Sequence, residues 1–151
     1  MNERHPERFF DDWRVGDTFV TGECTVTREE CLDFARRYDP QAFHLDDAAA
    51  QASMFGRLVA SGWLTAALAM RLIVDSGAMR ATGILGTGID ELRWTAPVYP
   101  GDALHVEGEV IELTPNPDGK RFGRMRIRCA ALNQRGERVL TQIANLTARM
   151  R

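Results

Sequence analysis

The stretch that decides the fold is residues 61–76, SGWLTAALAMRLIVDS, in which apolar side chains recur at helical spacing. Leu64, Leu68 and Leu72 are four residues apart, so they lie on one face of a helix predicted over residues 63–76. The opposite face is apolar as well, with Ala66, Met70 and Ile73. A helix that is apolar nearly all round has to be enclosed, either by a sheet wrapped around it or by a second subunit.

Four segments downstream of this helix have the composition of β-strands, rich in branched and apolar residues and separated by turn signals. They cover residues 83–92, 103–113, 123–132 and 137–148. In the second segment Leu104 and Val106 alternate with His105 and Glu107, and the third segment alternates in the same way. Such period-two patterns indicate antiparallel strands with one face in water.

The first part of the chain predicts one strand, over residues 18–26, and two shorter helices. Thr27 and Glu30 have the spacing of a capping box for a helix of about residues 28–37. Pro40 ends that helix by Asp39, because the residue before a proline is pushed out of the α region. An alanine-rich helix is predicted over residues 46–52.

Together these elements predict an α+β fold in which an antiparallel sheet wraps around the long central helix, the hot-dog arrangement. A length of 151 residues is typical of one domain, so we assign residues 1–151 to a single domain. The charged residues 1–8 lead into no apolar segment, and we expect them to form a flexible tail.

The composition argues against several classes of protein. A formal charge of −2 gives no electrostatic footprint for nucleic acid. We expect neither a secretory signal nor a membrane span, since no apolar run approaches the roughly 18 residues that a bilayer requires. Cys24, Cys31 and Cys129 lack CxxC spacing, which predicts no disulfide framework and no zinc site. A reduced, cytoplasmic interior fits this composition best.

Asp39 and His44 are the most informative polar residues, five positions apart in one short segment predicted to be irregular. A carboxylate and an imidazole that hold one water suit proton transfer, because their ordinary pKa values bracket the useful range. Two plainer interpretations stay open: Asp39 caps the helix, or His44 is a core histidine. The pair lies about 17 residues before Ser61 and the enclosed helix, which favours a catalytic site.

Ser61 and Gly62 stand at the start of the enclosed helix, where backbone N–H groups have no intrahelical partner and the dipole favours negative charge. Such a terminus can hold a developing oxyanion. The plainer interpretation is an ordinary helix start with Ser61 as its N-cap. Ser61 lacks the Gly-x-Ser-x-Gly surroundings of a nucleophile.

Two other patterns predict no cofactor. A metal would have to use Asp39, His44, Asp46 and Asp47, which contain only one histidine, so we expect no metal site. Asp46 and Asp47 are more simply the first carboxylates of the next helix. Residues 86–88, Gly-Thr-Gly, lack the third glycine of a nucleotide fingerprint.

Arg71, within the apolar helix, needs a carboxylate from a strand or a second chain.

Residues 34–64, FARRYDPQAFHLDDAAAQASMFGRLVASGWL, resemble the hydratase motif of the MaoC-like dehydratases, the (R)-specific enoyl-CoA hydratases. The family pattern has an Asp, four residues, His-Leu-Asp, a Phe-Gly turn and a Gly at the start of the hot-dog helix. The matching residues here are Asp39, His44-Leu45-Asp46, Phe55-Gly56 and Gly62. The likeness extends to residues 10–17 and 93–102 and so covers most of the chain.

The resemblance implies reversible addition of water to a trans-2-enoyl-CoA, giving a (3R)-3-hydroxyacyl-CoA. It assigns the water to Asp39 and His44 and the thioester carbonyl to the N–H of Gly62. We also expect Ser61 and Gln41 to support these groups. The acyl-CoA is the substrate, and neither a redox cofactor nor a metal is required. Members of the family pair sheet edge to sheet edge, so a homodimer or a higher homo-oligomer is expected.

The sequence departs from the family at two places. The usual Asn-Pro between the two catalytic residues is Gln41-Ala42 here, with the proline at Pro40. A serine that some members place in the helix corresponds to Met70. Two other functions stay open: a hot-dog acyl-CoA thioesterase, whose carboxylate directs water to the carbonyl, and a non-catalytic acyl-CoA-binding subunit.

Overall fold

The computed structural model describes residues 7–80, 84–118 and 121–151. Its helices are α1 (Arg28–Tyr38), α2 (Ala42–Leu45), α3 (Asp47–Gln51) and α4 (Gly62–Ser76), with a 3₁₀ turn at Phe10–Asp12. Its strands are β1 (Thr18–Val20), β2 (Cys24–Thr25), β3 (Leu85–Trp94), β4 (Ala103–Thr114), β5 (Phe122–Leu132) and β6 (Arg138–Arg149). Residue 83, the first of a predicted strand, lies outside the described residues.

The strands form one antiparallel sheet in the order β1–β4–β5–β6–β3, and β2 pairs with β4 beyond β1. The predicted alternation is confirmed in β4 and β5, because Val106, Val110 and Ile127 are buried while Glu107 and Glu109 are exposed. The buried side chains form one core with Leu64, Ala69 and Leu72 of α4. The α+β hot-dog fold predicted from the sequence is therefore confirmed.

Helix α4 is covered on only one side within the single chain, so the sheet alone does not enclose it and enclosure by a second subunit stays a prediction. Leu64, Ala69 and Leu72 face the sheet, whereas the opposite side carries a stripe of exposed apolar residues. The stripe consists of Trp63, Met70 and Val74, which are 58, 53 and 64 % exposed. A curved sheet covers one face of a helix, and the other face stays exposed unless another surface packs against it.

Within residues 7–80, 84–118 and 121–151, none of the helices has the length and apolar composition that a membrane span requires.

The predicted strand over residues 18–26 is divided into β1 and β2 by Thr21. The Thr21 hydroxyl accepts a hydrogen bond from the N–H of Val106 at 2.9 Å and donates one to the Gly22 carbonyl at 2.7 Å. A side-chain oxygen thus takes the place of a backbone carbonyl in the ladder, and regular pairing stops. Composition alone cannot show this substitution, since threonine is also a good strand residue.

Two arginines have different environments from those expected. Arg71 is exposed and pairs with Asp75 one helical turn later, at 2.6 Å, so the expectation of a partner on a strand or a second chain is wrong. Arg8, the last residue of the predicted tail, donates to Asp17 at 2.9 Å and lies over the Trp13 ring. Residues 1–6 of that tail lie outside the described residues.

The three cysteines are free, as their spacing predicted. Burial raises the pKa of the Cys31 and Cys129 thiols to about 11. Both groups therefore stay protonated at neutral pH, and a protonated thiol is neither a nucleophile nor a metal ligand.

Gly108 in β4 provides a test of the packing between the edge strand and the sheet. A Cβ at Gly108 would overlap the ring of Phe19, which crosses β4 at this point. We expect Gly108→Ala to lower the free energy of unfolding by about 1–3 kcal/mol, the usual cost of overpacking. Gly22→Ala is the matched control, because nothing lies within 4 Å of its added Cβ. Equal denaturation midpoints for the two variants would contradict this packing.

Candidate functional site

Asp39 is positioned by the end of α1. The helix stops because Pro40 disfavours helical backbone in the residue before it. Asp39 still donates its N–H to the Ala35 carbonyl at 3.0 Å, but its backbone leaves the helix with φ −149° and ψ 67°. The side chain is thereby turned inward, and only 15 % of it is exposed. The cap interpretation is therefore correct for the backbone of Asp39 and leaves its carboxylate free for another role.

His44 lies on α2, a single turn where the sequence predicted an irregular segment. Four residues are too few to show helical periodicity, which is why the sequence does not indicate this helix. The ring of His44 is buried, and its Nδ1 lies 2.7 Å from the carbonyl oxygen of Val59. Because a carbonyl oxygen can only accept a hydrogen bond, Nδ1 carries a proton and donates a hydrogen bond to the Val59 carbonyl.

The second ring nitrogen of His44 faces Asp39, with 3.2 Å between Nε2 and Oδ2. A neutral imidazole protonated at Nδ1 offers only a lone pair at Nε2, and a carboxylate also only accepts. The contact is therefore favourable only when one of the two groups holds an additional proton. This pair of side chains is suited to hold a proton and to pass it across a short distance.

Ser61 and Gln41 also donate hydrogen bonds to Asp39. The Ser61 hydroxyl reaches Oδ2 at 2.7 Å, and Nε2 of Gln41 reaches Oδ1 at 2.6 Å. Partial burial raises the pKa of Asp39, but the bonds from Ser61 and Gln41 and the charge of His44 outweigh it, so the pKa lies below the ordinary 3.8. Asp39 is therefore ionised near neutral pH.

Ser61 connects this cluster to the start of α4. Its hydroxyl oxygen accepts from the N–H of Trp63 at 3.3 Å, as an N-cap does, while it donates to Asp39. The next residue, Gly62, is the first of α4, and its N–H has no acceptor among the described residues. An unpaired N–H at a helix start, with the dipole behind it, attracts an anion or a polarised carbonyl oxygen.

These groups line one cavity of about 420 Å³, open to solvent. Asp39, Gln41, His44 and Gly62 supply its polar wall. The aromatic part of its lining consists of Phe43, Phe55, Trp63 and Trp94. Buried Ser61 does not line the cavity, but it donates a hydrogen bond to Asp39, which does. The structure thus brings together all five candidate residues of the sequence, which are Asp39, Gln41, His44, Ser61 and Gly62. It leaves out Met70, which lies eight residues along α4 on a second cavity.

Other residues near Asp39 have separate tasks. Asp46 caps α3 by accepting from the N–H of Ala49, and Asp47 pairs with Arg28 at 2.7 Å. They do not join Asp39 and His44 in a ligand set, and no group of three metal-binding side chains occurs in the ranges that the structure covers.

Sequence reasoning missed two contributors to the site. One is the Val59 carbonyl, which sets the tautomer of His44, and a backbone atom leaves no signal in side-chain identity. The other is Trp94, which was noted only within the matching segment 93–102. Its position at the end of a strand gave no indication that it meets the start of α4.

Known proteins share this architecture. A family model described as a MaoC like domain matches residues 12–127. Mesaconyl-CoA hydratase of Cereibacter sphaeroides is 32 % identical over 146 residues, which cover 95 % of this chain and 42 % of the hydratase. The chain therefore spans less than half the length of that relative.

Two solved structures resemble the chain along most of its length. The MaoC-like dehydratase of Rhodospirillum rubrum is 44 % identical with a TM-score of 0.90, and the match covers 95 % of this chain and 98 % of that one. The R-hydratase of Pseudomonas aeruginosa, in its unliganded form, is 29 % identical with a TM-score of 0.73. That match covers 95 % of this chain and 86 % of the hydratase.

Ser61→Ala tests the electrostatic link to Asp39. Removing a donor to the ionised form should raise the pKa of the Asp39 carboxyl, measured by NMR titration of its carboxyl carbon. The stability that Asp39 contributes is present above its unfolded-state pKa and is lost as the pH falls through its lowered folded-state pKa. The variant should therefore show a smaller loss of stability between neutral and acidic pH.

Thr27→Ala is the control for this experiment. Thr27 caps α1 in the same way, but its hydroxyl bonds Glu30 instead of Asp39. Each variant loses a cap worth roughly 1 kcal/mol, and only Ser61→Ala should change the titration of Asp39. An identical Asp39 titration in the two variants would show that Ser61 acts as a cap alone.

Proposed function

Since this chain belongs to the MaoC-like dehydratase family, as residues 34–64 predicted, we propose that it adds water reversibly to a trans-2-enoyl-CoA and forms a (3R)-3-hydroxyacyl-CoA. The observation that carries the proposal is the convergence of Asp39 and His44 in one cavity with the free N–H of Gly62. Hydration needs these three functions: a group that takes a proton from water, a group that gives one to carbon, and a donor to the thioester oxygen.

In the proposed reaction a water molecule is held by Asp39 and His44. The Asp39 carboxylate takes one proton from the water as its oxygen forms a bond to C3 of the enoyl group. Protonated Nε2 of His44 then supplies a proton to C2. The proton on Asp39 passes across the 3.2 Å contact to Nε2, which restores the starting state. One water is consumed, one C–O and one C–H bond form, and no oxidant or metal is required.

The Gly62 N–H has a distinct part in this proposal. When water adds at C3, negative charge moves onto the thioester oxygen, and an oriented N–H at a helix start stabilises that charge. The loss of a single donor of this kind costs on the order of 10² to 10³ in rate. A glycine suits this position because it lets substrate approach the backbone closely.

The second cavity supports an apolar acyl group as the remainder of the substrate. It has a volume of about 700 Å³ and lies along the C-terminal half of α4. Its lining is largely apolar and includes Met70, Ile73, Val74 and Leu146. Trp63, on the catalytic cavity, and Met70 are seven residues apart on the same face of α4, so the exposed stripe connects the two cavities. We expect the acyl chain to follow this stripe.

The same stripe and the edge of β3 support a homodimer. In the described part of the sheet, β3 pairs only with β6, and its exposed side chains include Leu85 and Ile89. An open edge with apolar neighbours favours pairing with another strand. A second copy at this edge would cover the face of α4 that the sheet does not reach. We propose a cytoplasmic homodimer as the working form.

Crotonyl-CoA is the substrate for the first test. Wild-type protein should remove the enoyl absorbance without releasing free thiol. Asp39→Asn and His44→Ala should each lower kcat by about 10² to 10⁴, the range for general acid–base groups. Asp33→Asn and His105→Ala are matched controls, because Asp33 pairs with Arg36 and His105 faces Glu107, outside the site. Circular dichroism should show that all four variants fold.

The other outcomes of this assay are informative. Release of free thiol would identify a thioesterase, in which water attacks the carbonyl carbon. Binding of crotonyl-CoA without turnover, repeated with longer enoyl-CoAs, would identify a non-catalytic subunit. Near-wild-type turnover by either site variant would remove Asp39 and His44 from the mechanism.

Ile89→Lys tests the proposed dimer edge. A lysine in the middle of β3 should place like charges near each other across the interface and shift the protein to monomers in light scattering. Val20→Lys is the control, because Val20 is also exposed and apolar but lies on β1, at the opposite edge. A wild-type monomer, or dissociation by Val20→Lys instead, would contradict pairing through β3.

A further inference from the structure

Trp94 makes a close and specific contact with Gly62. The indole Nε1–H donates to the Gly62 carbonyl oxygen at 2.6 Å. The ring also lies against the Gly62 Cα, since a Cβ there would be 2.7 Å from Nε1 and Cε2 of Trp94. The rings of Trp63 and Trp94 meet at an interplanar angle of 78°, with 5.0 Å between their centroids. Trp94 therefore occupies the space beside the first peptide groups of α4 and leaves room for glycine alone.

A β-bulge directs Trp94 to this place. Asp90 pairs with Ile143 and Trp94 pairs with Leu140, so four steps along β3 correspond to three along β6. In a regular strand Asp90 and Trp94 would share one face, because side chains alternate with a period of two. The additional residue moves Trp94 to the face opposite Asp90, which bonds Arg126 and Asn145.

The bulge carries a backbone cost. Glu91, between Asp90 and Trp94, has a φ of 52°, and no other non-glycine residue in the described ranges has a positive φ. Such a conformation is unfavourable for a residue with a Cβ, and strained residues of this kind cluster near functional sites. Bulges next to active sites commonly turn a side chain toward the site.

We propose that Trp94 is a positioning residue that holds Gly62 so that its N–H is aimed at the thioester oxygen. This inference rests on the hydratase function proposed above. Glycine has the widest backbone freedom of any residue, so an N–H on Gly62 keeps one direction only if its neighbours restrain it. Ser61 restrains the peptide before Gly62 through Asp39 and the cap. Trp94 restrains the peptide after it.

The indole has a second effect on the same donor. Its ring forms part of the cavity wall beside Gly62, where it takes up space that water would otherwise fill. Fewer competing waters make an N–H a stronger donor to the developing oxyanion. Trp94 touches Gly62 and acts through it, while Asp39 and His44 handle the protons.

Trp94→Phe removes the indole N–H and keeps an aromatic ring. We expect kcat for crotonyl-CoA to fall roughly tenfold, since small misplacement of a catalytic donor has large effects on rate. KM should change less than about threefold, because the donor acts mainly on the transition state. Trp94→Ala should lower kcat further. Trp13→Phe is the control: its buried Nε1 has no acceptor among the described residues, so its loss should leave kcat unchanged.

The thioester carbonyl of the bound substrate provides a readout that packing alone does not change. Crotonyl-CoA labelled with ¹³C at the carbonyl is bound to the Asp39→Asn variant, which should bind it without turnover. Polarisation by Gly62 should lower the infrared stretching frequency of the carbonyl, and adding Trp94→Phe should reverse most of this shift. Adding Trp13→Phe should not reverse it. An unchanged frequency and unchanged kcat with Trp94→Phe would overturn the inference.

A measurement on the wild-type protein covers the case in which Trp94→Phe does not fold. Both indoles are partly exposed, but only Trp94 Nε1–H has an acceptor among the described residues, so it should exchange with solvent much more slowly than that of Trp63, as seen by ¹⁵N NMR. Equally fast exchange of the two would overturn the hydrogen bond to Gly62. Failure of the wild type to hydrate any enoyl-CoA would instead overturn the proposed function, so the two failures are distinguishable.

Discussion

The hydrogen bond from Ser61 to Asp39 is the interaction on which the site depends. It joins two parts of the chain that are 22 residues apart, the end of α1 and the start of α4. The same hydroxyl caps α4, so the carboxylate and the first N–H groups of the helix keep a constant separation. Complete burial of Ser61 shields this bond from water, where it would be weaker. Without the bond, Asp39 would have Gln41 and His44 as its remaining side-chain partners.

His44 completes the same assembly through a backbone atom. Its bond to the Val59 carbonyl assigns the proton to Nδ1 and turns Nε2 toward Asp39. Val59 also lies just before Ser61, so a short run of chain orients both the imidazole and the carboxylate. The site is therefore built from two short segments, one around α2 and one at the start of α4, joined by the Ser61–Asp39 and His44–Val59 hydrogen bonds.

Sequence patterns predicted the elements that local chemistry decides. The capping box of Thr27 and Glu30, the end of α1 before Pro40 and the cap at Ser61 all depend on residues within a few positions. The division of β1 from β2 and the bulge near Glu91 were not predictable in this way. Each depends on which backbone groups of a distant strand lie opposite, and no local pattern specifies that register.

The sequence by itself determined the hot-dog fold, the family and the small set of polar residues that can do chemistry. These follow from periodicity, caps and a motif with constant spacing, which are properties of neighbouring residues. Only the tertiary structure decided that Ser61 donates to Asp39, that His44 presents Nε2, and that Trp94 meets Gly62. Those contacts depend on distances between segments that are 15 to 32 residues apart along the chain, and such distances are set when those segments pack together.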